Sequence, residues 1–289
     1  MVLFRSVGFA STCARRFLAT ATSEQPFLLE RLRGEHEGIV LFRLNRPETK
    51  NAISKNMLAA FRNALDEVKF DKLARVVIVK SDVNGAFCSG ADLKERKTMP
   101  QEEVPRFVDG IRGLVTDLAR LSMPVIAALD GFALGGGLEM ALACDLRVAS
   151  STARMGLTET RLAIIPGGGG TQRLARVVGV ARAKELIYTS RLITGVEAER
   201  IGLVNHVVEP NSAGDAAYQR ALKLAKEILP QGPIALRVAK IAIDRGSEVD
   251  LETGLNIEQQ CYAQVIPTKD RIEGLTAFKE KRPPVYKGE

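Results

Sequence analysis

The segment VIAALDGFALGGGLEMALACDLRVA, residues 125–149, carries the pattern on which the fold class depends. The apolar run Val125–Leu129 has the length and composition of a buried strand, and a glycine-rich turn at residues 131–137 follows it. Residues 138–144 predict a short helix, and residues 146–149 predict the next strand. Strand, glycine loop and helix in this order predict an α/β protein.

The rest of the chain extends this alternation and then changes character. Two strands are predicted between residues 27 and 43, and a buried strand at residues 76–79. Helices are predicted at residues 54–68 and 104–121, from apolar positions at helical spacing. After residue 203 the pattern is mainly helical, with helices at residues 213–228, 233–245, 250–264 and 271–280. The sequence therefore predicts an α/β core over residues 27–203 and a helical region over residues 204–289.

Composition limits the classes of function. The chain has 289 residues, 46% of them hydrophobic, which is enough for one large domain with a substantial core. It contains no uncharged apolar stretch of about 18 residues, so no membrane span is expected. Tryptophan is absent and aromatic residues make up 5%, which offers few platforms for stacking nucleic-acid bases.

Residues 1–23 differ from the rest in charge. They contain Arg5, Arg15 and Arg16, several hydroxyl side chains and no acid before Glu24. This composition predicts a mitochondrial transit peptide, and hence a location in the matrix. A secretory signal is disfavoured because two arginines interrupt the apolar run; a tail without a targeting role is the alternative. Without the three arginines the basic excess falls from 7 to 4, which suits anionic ligands.

Cysteine and histidine chemistry is not supported. The four cysteines, at positions 13, 88, 144 and 261, are too scattered for a disulfide framework or a zinc site, so no metal is expected. His36 and His206 have no companion residue for Ser-His-Asp or Cys-His catalysis. Both are interpreted as structural.

Three segments place small residues at or just before a predicted helix start: FCSGADLK at residues 87–94, GFALGGGLE at 131–139, and ETRLAIIPGGGGTQR at 159–173. Backbone N–H groups at such ends have no intrahelical partner and stabilise negative charge. Phosphate binding is a competing explanation, but no Gly-Lys-Ser/Thr or dinucleotide spacing follows any of the loops. Packing of glycines at helix ends is the other alternative.

Two of these segments carry a glutamate. Glu139 lies in the first turn of an otherwise apolar helix, and Glu159 lies between a strand and the glycine run at residues 167–170. Addition of water to a conjugated thioester requires one group that accepts a proton from water and another that supplies one beside the carbonyl. A surface or capping role is the alternative for each glutamate. Spacing alone does not show that the two meet.

The three segments together resemble the enoyl-CoA hydratase/isomerase (crotonase) superfamily, from about Gly38 to the C-terminus. The resemblance implies a spiral of ββα units with a helical C-terminal trimerisation region, and trimers that usually pair into hexamers. It also implies that Glu139 and Glu159 are catalytic. The backbone N–H groups of Ala91 and Gly136 would form the oxyanion hole, and Gly167 would help to place the water.

The substrate implied by the resemblance is an acyl-CoA, so coenzyme A belongs to the substrate and no separate cofactor is expected. The positions that match CoA-binding ones are Lys50, Ala52, Ala91, Asp92, Leu93, Lys94, Tyr262 and Lys281. Because both glutamates are present, hydration is favoured over isomerisation. A short branched enoyl-CoA, specifically 3-methylglutaconyl-CoA of leucine breakdown, is the expected substrate. A general short-chain hydratase or isomerase is the alternative, as is an RNA-binding protein with vestigial catalysis.

The RNA alternative depends on one helix. RNA-binding relatives display lysines four residues apart on one helix face, and the matching positions here are Lys55, Ala59 and Asn63. Two of the three lysines are missing, and each lost phosphate contact weakens binding. RNA binding is therefore predicted to be weak or absent.

Overall fold

The computed structural model describes residues 25–289, so the predicted transit peptide at residues 1–23 lies outside the described part. The strands are β1 (Phe27–Arg31), β2 (Ile39–Leu44), β3 (Val76–Ser81), β4 (Ala86–Cys88), β5 (Val125–Leu129), β6 (Phe132–Leu134), β7 (Leu146–Ser150), β8 (Arg154–Gly156), β9 (Ile193–Thr194) and β10 (His206–Val208). The helices are α1 (Lys55–Lys69), α2 (Leu93–Thr98), α3 (Val104–Ala119), α4 (Gly136–Ala143), α5 (Gly170–Val178), α6 (Val180–Thr189), α7 (Gly195–Arg200), α8 (Ala216–Ile228), α9 (Pro233–Gly246), α10 (Leu251–Val265) and α11 (Lys269–Glu280).

The larger sheet has six strands in the order β1-β2-β3-β5-β7-β10. Strand β1 pairs antiparallel with β2, and the remaining neighbours pair in parallel. Both faces of the central strands are covered, which explains why β3 and β5 are continuous apolar runs without alternation. The α/β class predicted from the sequence is confirmed.

Alternate residues of the sheet enter two separate cores. On β3, Val77 and Val79 belong to the larger core with α1, α3 and α4, whereas Val76 and Ile78 face the other side. That second face is covered by α8, which contributes the small residues Ala217, Ala221 and Ala225. These small residues let α8 lie close to the sheet. The part of the chain after residue 203 thus adds a helix to the α/β layers, and it also adds the edge strand β10.

Helix α1 shows how closely the sequence specifies some elements. Ser54 is its N-cap, and the Ser54 hydroxyl accepts a hydrogen bond from the Met57 amide at 3.1 Å. The buried face includes Phe61, whose ring stacks on Phe27 with centroids 4.3 Å apart and meets Phe42 edge-on at 5.5 Å. The helix predicted at residues 54–68 is confirmed to within one residue.

The smaller sheet was only partly anticipated. It has four strands in the order β4-β6-β8-β9, and β4, β6 and β8 run parallel to one another. The prediction of a plain turn at residues 131–137 is wrong, because β6 lies inside it. Strands of two or three residues are too short to show a periodic pattern.

The predicted C-terminal helices correspond to α8, α9, α10 and α11. Within residues 25–289, no helix is long and apolar enough to cross a membrane. Asp270, in the first turn of α11, is buried and accepts hydrogen bonds from the amides of Lys287 and Gly288, both at 2.8 Å. This carboxylate therefore anchors the C-terminal tail onto α11.

Candidate active site

The smaller sheet brings the three glycine-containing segments together. Strands β4, β6 and β8 are parallel neighbours, so their carboxyl ends meet at one edge of the sheet. The residues that follow them are Ala91 after β4, Gly136 and Glu139 after β6, and Glu159 after β8. Ligands of parallel sheets bind at this edge, where loops and helix N-termini converge. All four of these residues line a single cleft of about 570 Å³.

The backbones of Ala91 and Gly136 lie close together in the lining of the cleft. A methyl group built on Gly136 would lie 3.8 Å from the Ala91 nitrogen, so the two backbones are in close approach. The Ile53 amide donates to the Gly90 carbonyl at 2.7 Å, and the Asp92 amide donates to the Ile53 carbonyl at 3.0 Å. Neither the Ala91 nor the Gly136 amide donates a hydrogen bond to any group among residues 25–289. Both amides are therefore available to a ligand.

The loop that carries Ala91 is held by a capping carboxylate. Asp92 is the N-cap of α2, and one of its oxygens accepts from the amides of Lys94 and Glu95 at 3.1 and 3.2 Å. Its other oxygen accepts from Arg46 Nη1 at 2.8 Å, and the same nitrogen donates to the Ala52 carbonyl at 3.1 Å. Desolvation raises the pKa of Asp92, but these hydrogen bonds and the Arg46 charge outweigh it, so the pKa is lowered.

Glu139 is a buried carboxylate, with 3% of its surface exposed. Its Oε1 accepts hydrogen bonds from the amides of Gly168 at 2.8 Å and Gly170 at 2.7 Å. Burial raises the pKa of Glu139, while these two amides and the positive charges of Arg173 and Arg112 oppose the rise. Both amide bonds go to one oxygen, which leaves Oε2 available to a ligand.

The glycine run at residues 167–170 is shaped around this carboxylate. A methyl group on Gly168 would lie 2.7 Å from Glu139 Oε2, and one on Gly170 would lie 2.9 Å from Oε1. Two arginines also hold the loop in place. Arg112 Nε donates to the Gly167 carbonyl at 3.0 Å, and Arg173 Nη1 donates to the Gly168 carbonyl at 3.1 Å. Close approach to Glu139 explains the glycines at positions 168 and 170; a phosphate is not required.

Glu159 begins a short 3-10 turn, residues Glu159–Leu162, after β8. Its carboxylate lies over Gly135, where a methyl group would be 3.0 Å from Glu159 Oε1, and Gly135 also has a positive φ of 49°. Oε2 of Glu159 is buried without a hydrogen-bond partner among the described residues. Burial, and to a lesser extent the charge of Glu139, raises the pKa of Glu159 to about 7. A carboxyl group with this pKa exchanges protons near neutrality.

Above these groups the cleft is bounded by apolar side chains and two arginines. The apolar wall includes Leu93 of α2, Ile111 of α3, and Leu162, Ile164 and Ile165 of the segment after Glu159. Arg96 and Arg112 are the cations in the lining. This wall was not located from the sequence, because its residues come from three segments whose approach depends on the fold. The volume and mixed lining suit a small organic ligand.

Sequence and structure comparisons show the family to which the chain belongs. The sequence model described as enoyl-CoA hydratase/isomerase matches residues 34–289. The chain belongs to the enoyl-CoA hydratase/isomerase family. It is 58% identical over 275 residues to the mitochondrial methylglutaconyl-CoA hydratase of Homo sapiens, covering 95% of this chain and 81% of that protein.

Two further members of the family are similar over most of their length. The human mitochondrial enoyl-CoA hydratase domain-containing protein 2 is 56% identical over 257 residues, covering 89% of this chain and 88% of that protein. The crystal structure of an enoyl-CoA hydratase from Bacillus anthracis superimposes with a TM-score of 0.87 at 49% identity, covering 92% of this chain and 100% of that one. The crotonase-type fold expected from the sequence is confirmed.

For this family member, the structure separates the predicted CoA-contacting positions into three groups. Ala91 and Leu93 line the cleft, as does Gly167, the residue expected to help place water. Ala52 and Asp92 lie behind the cleft wall, where they receive the Arg46 side chain. The remaining predicted positions lie outside the cleft lining of the single chain: Lys50, Lys94, Tyr262 and Lys281. Their roles toward CoA stay predictions.

Metal and thiol chemistry find no support in the described residues. No group of three or more potential metal ligands lies together in residues 25–289. Burial raises the pKa of the Cys88 and Cys144 thiols to about 12, so neither forms a thiolate nucleophile near neutrality. His36 and His206 are not part of the cleft, and His206 instead contacts Arg220 at 3.1 Å. The cleft therefore offers carboxylates and amides for chemistry.

Proposed function

We propose that this chain is an enoyl-CoA hydratase, a hydro-lyase that adds water across the 2,3 double bond of an acyl-CoA. The observation that carries the proposal is the meeting of the buried Glu139 carboxylate and the half-buried Glu159 carboxylate in one cleft, beside two N–H groups that donate to no group within residues 25–289. An isomerase that only moves a double bond needs one proton-transfer group, whereas hydration uses two.

The two amides account for activation of the substrate. The thioester oxygen accepts hydrogen bonds from the N–H groups of Ala91 and Gly136, and Gly136 is also the first residue of α4. When water attacks C3, the π electrons of the double bond move toward this oxygen, which becomes an enolate. Donors placed at the helix N-terminus stabilise the developing charge more than the neutral carbonyl, and so lower the barrier.

The two carboxylates divide the proton transfers. Glu139, whose Oε1 accepts two amide bonds that favour the ionised form, takes a proton from water through Oε2 as the new C3–O bond forms. Glu159, with its pKa raised to about 7, donates its proton to C2 as the enolate returns its electrons. The net result is one water molecule added, with Glu139 protonated and Glu159 ionised. Proton exchange with solvent then returns Glu139 to its ionised form and Glu159 to its protonated form.

Within this class, 3-methylglutaconyl-CoA is the proposed substrate and 3-hydroxy-3-methylglutaryl-CoA the product, as in leucine degradation. The relative named methylglutaconyl-CoA hydratase, at 58% identity, supports this choice. The second candidate is general short-chain enoyl-CoA hydration, since a relative with a broader name is 56% identical. The proposed reaction needs no cofactor beyond the coenzyme A of its substrate.

The test is hydration by the purified protein of crotonyl-CoA, 3-methylcrotonyl-CoA and 3-methylglutaconyl-CoA, followed by loss of the conjugated-thioester absorbance and by product analysis. We expect hydration, with the highest kcat/KM on 3-methylglutaconyl-CoA. The Glu139→Gln variant is the matched control for background hydration, because a glutamine oxygen can still accept from the loop amides. If the wild-type protein hydrates none of the three thioesters faster than this variant does, it is not a hydratase.

We also propose a homotrimer, or a hexamer built as a dimer of trimers, in the mitochondrial matrix. Large apolar side chains stand exposed on the C-terminal helices, including Leu251 at 79% and Phe278 at 87%, and a monomer gains nothing from exposing them. Relatives named as mitochondrial and the arginine-rich residues 1–23 support the location. Light scattering of the purified protein measures the assembly, and a monomer would contradict it.

RNA binding is proposed to be weak or absent. Lys55, Ala59 and Asn63 lie exposed on one face of α1, so the face is available but carries one lysine of the three expected. Lys55 is also paired with Glu103 at 2.5 Å, and Arg62 donates to the Gly110 carbonyl at 3.2 Å. Cations engaged in this way contribute less to phosphate binding.

A further inference from the structure

Arg96 is the feature of the cleft that the hydration mechanism leaves unused. It lies on α2, one helical turn beyond Asp92, whose carbonyl accepts from the Arg96 amide at 2.9 Å. Its side chain is half-buried and lines the same cleft as Ala91, Glu139 and Glu159. Among residues 25–289, no carboxylate or carbonyl receives a hydrogen bond from its guanidinium group. A cation is thus held in the cleft wall without a counter-ion.

The other arginines near the cleft are already engaged. Arg112 Nε donates to the Gly167 carbonyl at 3.0 Å and Arg112 Nη1 lies 3.7 Å from Asp109. Arg173 donates to the Gly168 carbonyl at 3.1 Å. Partial burial of an unpaired charge beside apolar side chains is unfavourable unless a ligand supplies the opposite charge. Arg96 therefore marks the part of the cleft where an anionic group of the ligand is expected.

We propose that Arg96 binds a carboxylate at the far end of the acyl chain and so selects acid-terminated enoyl-CoA substrates. The proposal rests on the hydratase function proposed above. The proposed function places the thioester oxygen at the Ala91 amide, and Arg96, one turn of α2 beyond the N-cap Asp92, lines the same cleft as Ala91. In a five-carbon diacid only four bonds of about 1.5 Å separate the two carboxyl carbons, so the distal carboxylate stays within this cleft.

The charges in the cleft also indicate that Arg96 favours a substrate with a carboxylate. Glu139 and Glu159 already place two carboxyl groups in the cleft, so a third carboxylate on the substrate is repelled unless a cation lies close to it. The planar guanidinium of arginine donates two parallel hydrogen bonds to a carboxylate, which fixes orientation as well as charge. A neutral acyl chain gains nothing from this contact. Arg96 is therefore a specificity-determining residue and takes no part in the proton transfers.

The experiment compares two substrates that differ only in the carboxylate, 3-methylglutaconyl-CoA and 3-methylcrotonyl-CoA. Arg96→Met should lower kcat/KM by about 10- to 100-fold on the first, the loss expected for a hydrogen-bonded charge pair, and by about twofold or less on the second. Arg96→Lys should fall between wild type and Arg96→Met. Lys97→Met is the matched control, because it removes the same charge from the next residue of α2, outside the cleft lining.

A binding measurement keeps this test separate from catalysis. Affinities for the unreactive saturated esters 3-methylglutaryl-CoA and isovaleryl-CoA are measured by calorimetry for wild type and Arg96→Met. A loss confined to the diacid ester supports the proposal even if no enoyl-CoA is hydrated, in which case the hydratase function alone fails. An equal loss on both esters shows that Arg96 binds the common CoA part, and overturns the proposal. Unchanged binding of both esters also overturns it.

Discussion

Replacement of Glu159 by glutamine tests the proposed chemistry through activity and through stability. The amide keeps the size of the side chain but can neither donate an acidic proton nor carry a charge. Glu159 begins the 3-10 turn beside Gly135, and its Oε2 has no hydrogen-bond partner within residues 25–289, so the exchange breaks no bond at that atom. We expect kcat for hydration to fall by on the order of 100-fold or more, while binding of the CoA ester is retained.

The raised pKa of Glu159 determines how the stability of the wild-type protein changes with pH. Burial raises the pKa of Glu159 from 4.5 to about 7 in the folded protein. The native state therefore holds a proton that the unfolded chain has released between these two pH values, and wild-type stability falls as pH rises through this window. At about 1.4 kcal/mol per pH unit the loss is at most about 3 kcal/mol, and solvent screening at this partly exposed group reduces it to about 1–2 kcal/mol.

Glutamine does not titrate, so the variant escapes this loss. The free energy of unfolding of Glu159→Gln, relative to wild type, should be higher at pH 8 than at pH 5 by about 1–2 kcal/mol. Urea unfolding at both pH values measures the difference. The exposed Glu102→Gln, without a hydrogen bond or ion pair in the described residues, is the matched control and should show no such change. A pH-independent difference for Glu159→Gln, or near-normal turnover, would refute the reasoning.

The remaining predictions concern the loop, the helix face and the N-terminus. Gly168→Ala places a methyl group 2.7 Å from an oxygen of Glu139, the proposed base, and should lower kcat by about 10-fold or more with KM little changed. Ala59→Lys with Asn63→Lys should tighten RNA binding in gel-shift assays and leave hydration unchanged; tight AU-selective binding by the unmodified protein would contradict the lysine argument. Residues 1–30 should carry a fluorescent reporter into mitochondria, and Arg15→Glu with Arg16→Glu should abolish import.

The proposed hydration also has a predictable pH profile. The reaction requires Glu159 protonated, and its pKa is raised to about 7, so kcat/KM should decline as pH rises above about 7. At the acidic end activity should decline as Glu139 gains a proton, since its ionised form accepts the proton of water. Stopped-flow rates on crotonyl-CoA, taken over the pH range in which the protein stays folded, measure both the acidic and the basic decline. A rate that stays level well above neutrality would remove Glu159 from the role of acid.

Parts of the fold follow from local pattern, and parts do not. Helix α1 was predicted because its apolar residues recur at helical spacing and Ser54 provides a cap, and strand β5 was predicted because it is an unbroken apolar run. Strands β4, β6 and β8 have three residues each, too few to show a period. Their existence depends on pairing with one another, which is a property of the tertiary structure.

The proximity of Glu139 and Glu159 also depends on the tertiary structure. Glu139 and Glu159 are recognisable as unusual carboxylates from their neighbours, but only the parallel pairing of β6 with β8 brings the segments that follow these strands to one edge. The resemblance to a family supplied this relation before the structure did. Arg96 illustrates the opposite case: nothing in its local sequence separates it from Lys94 or Lys97, and its position in the cleft emerges only from the packing of α2.

In the proposed function, chemistry and substrate selection are carried by different parts of this molecule. The proton-transfer groups and the N–H donors are fixed at the edge of the smaller sheet, where glycines and backbone bonds leave little freedom for substitution. The upper cleft wall includes the half-buried Arg96 of α2 and the exposed Leu162 and Ile165 of the segment after Glu159, whose side chains can change without disturbing that edge. Overall identities of 58% and 56% to two differently named relatives therefore do not decide the acyl chain of this protein. Substrate preference should follow the wall residues, so exchanging them is expected to transfer specificity while the catalytic glutamates stay in place.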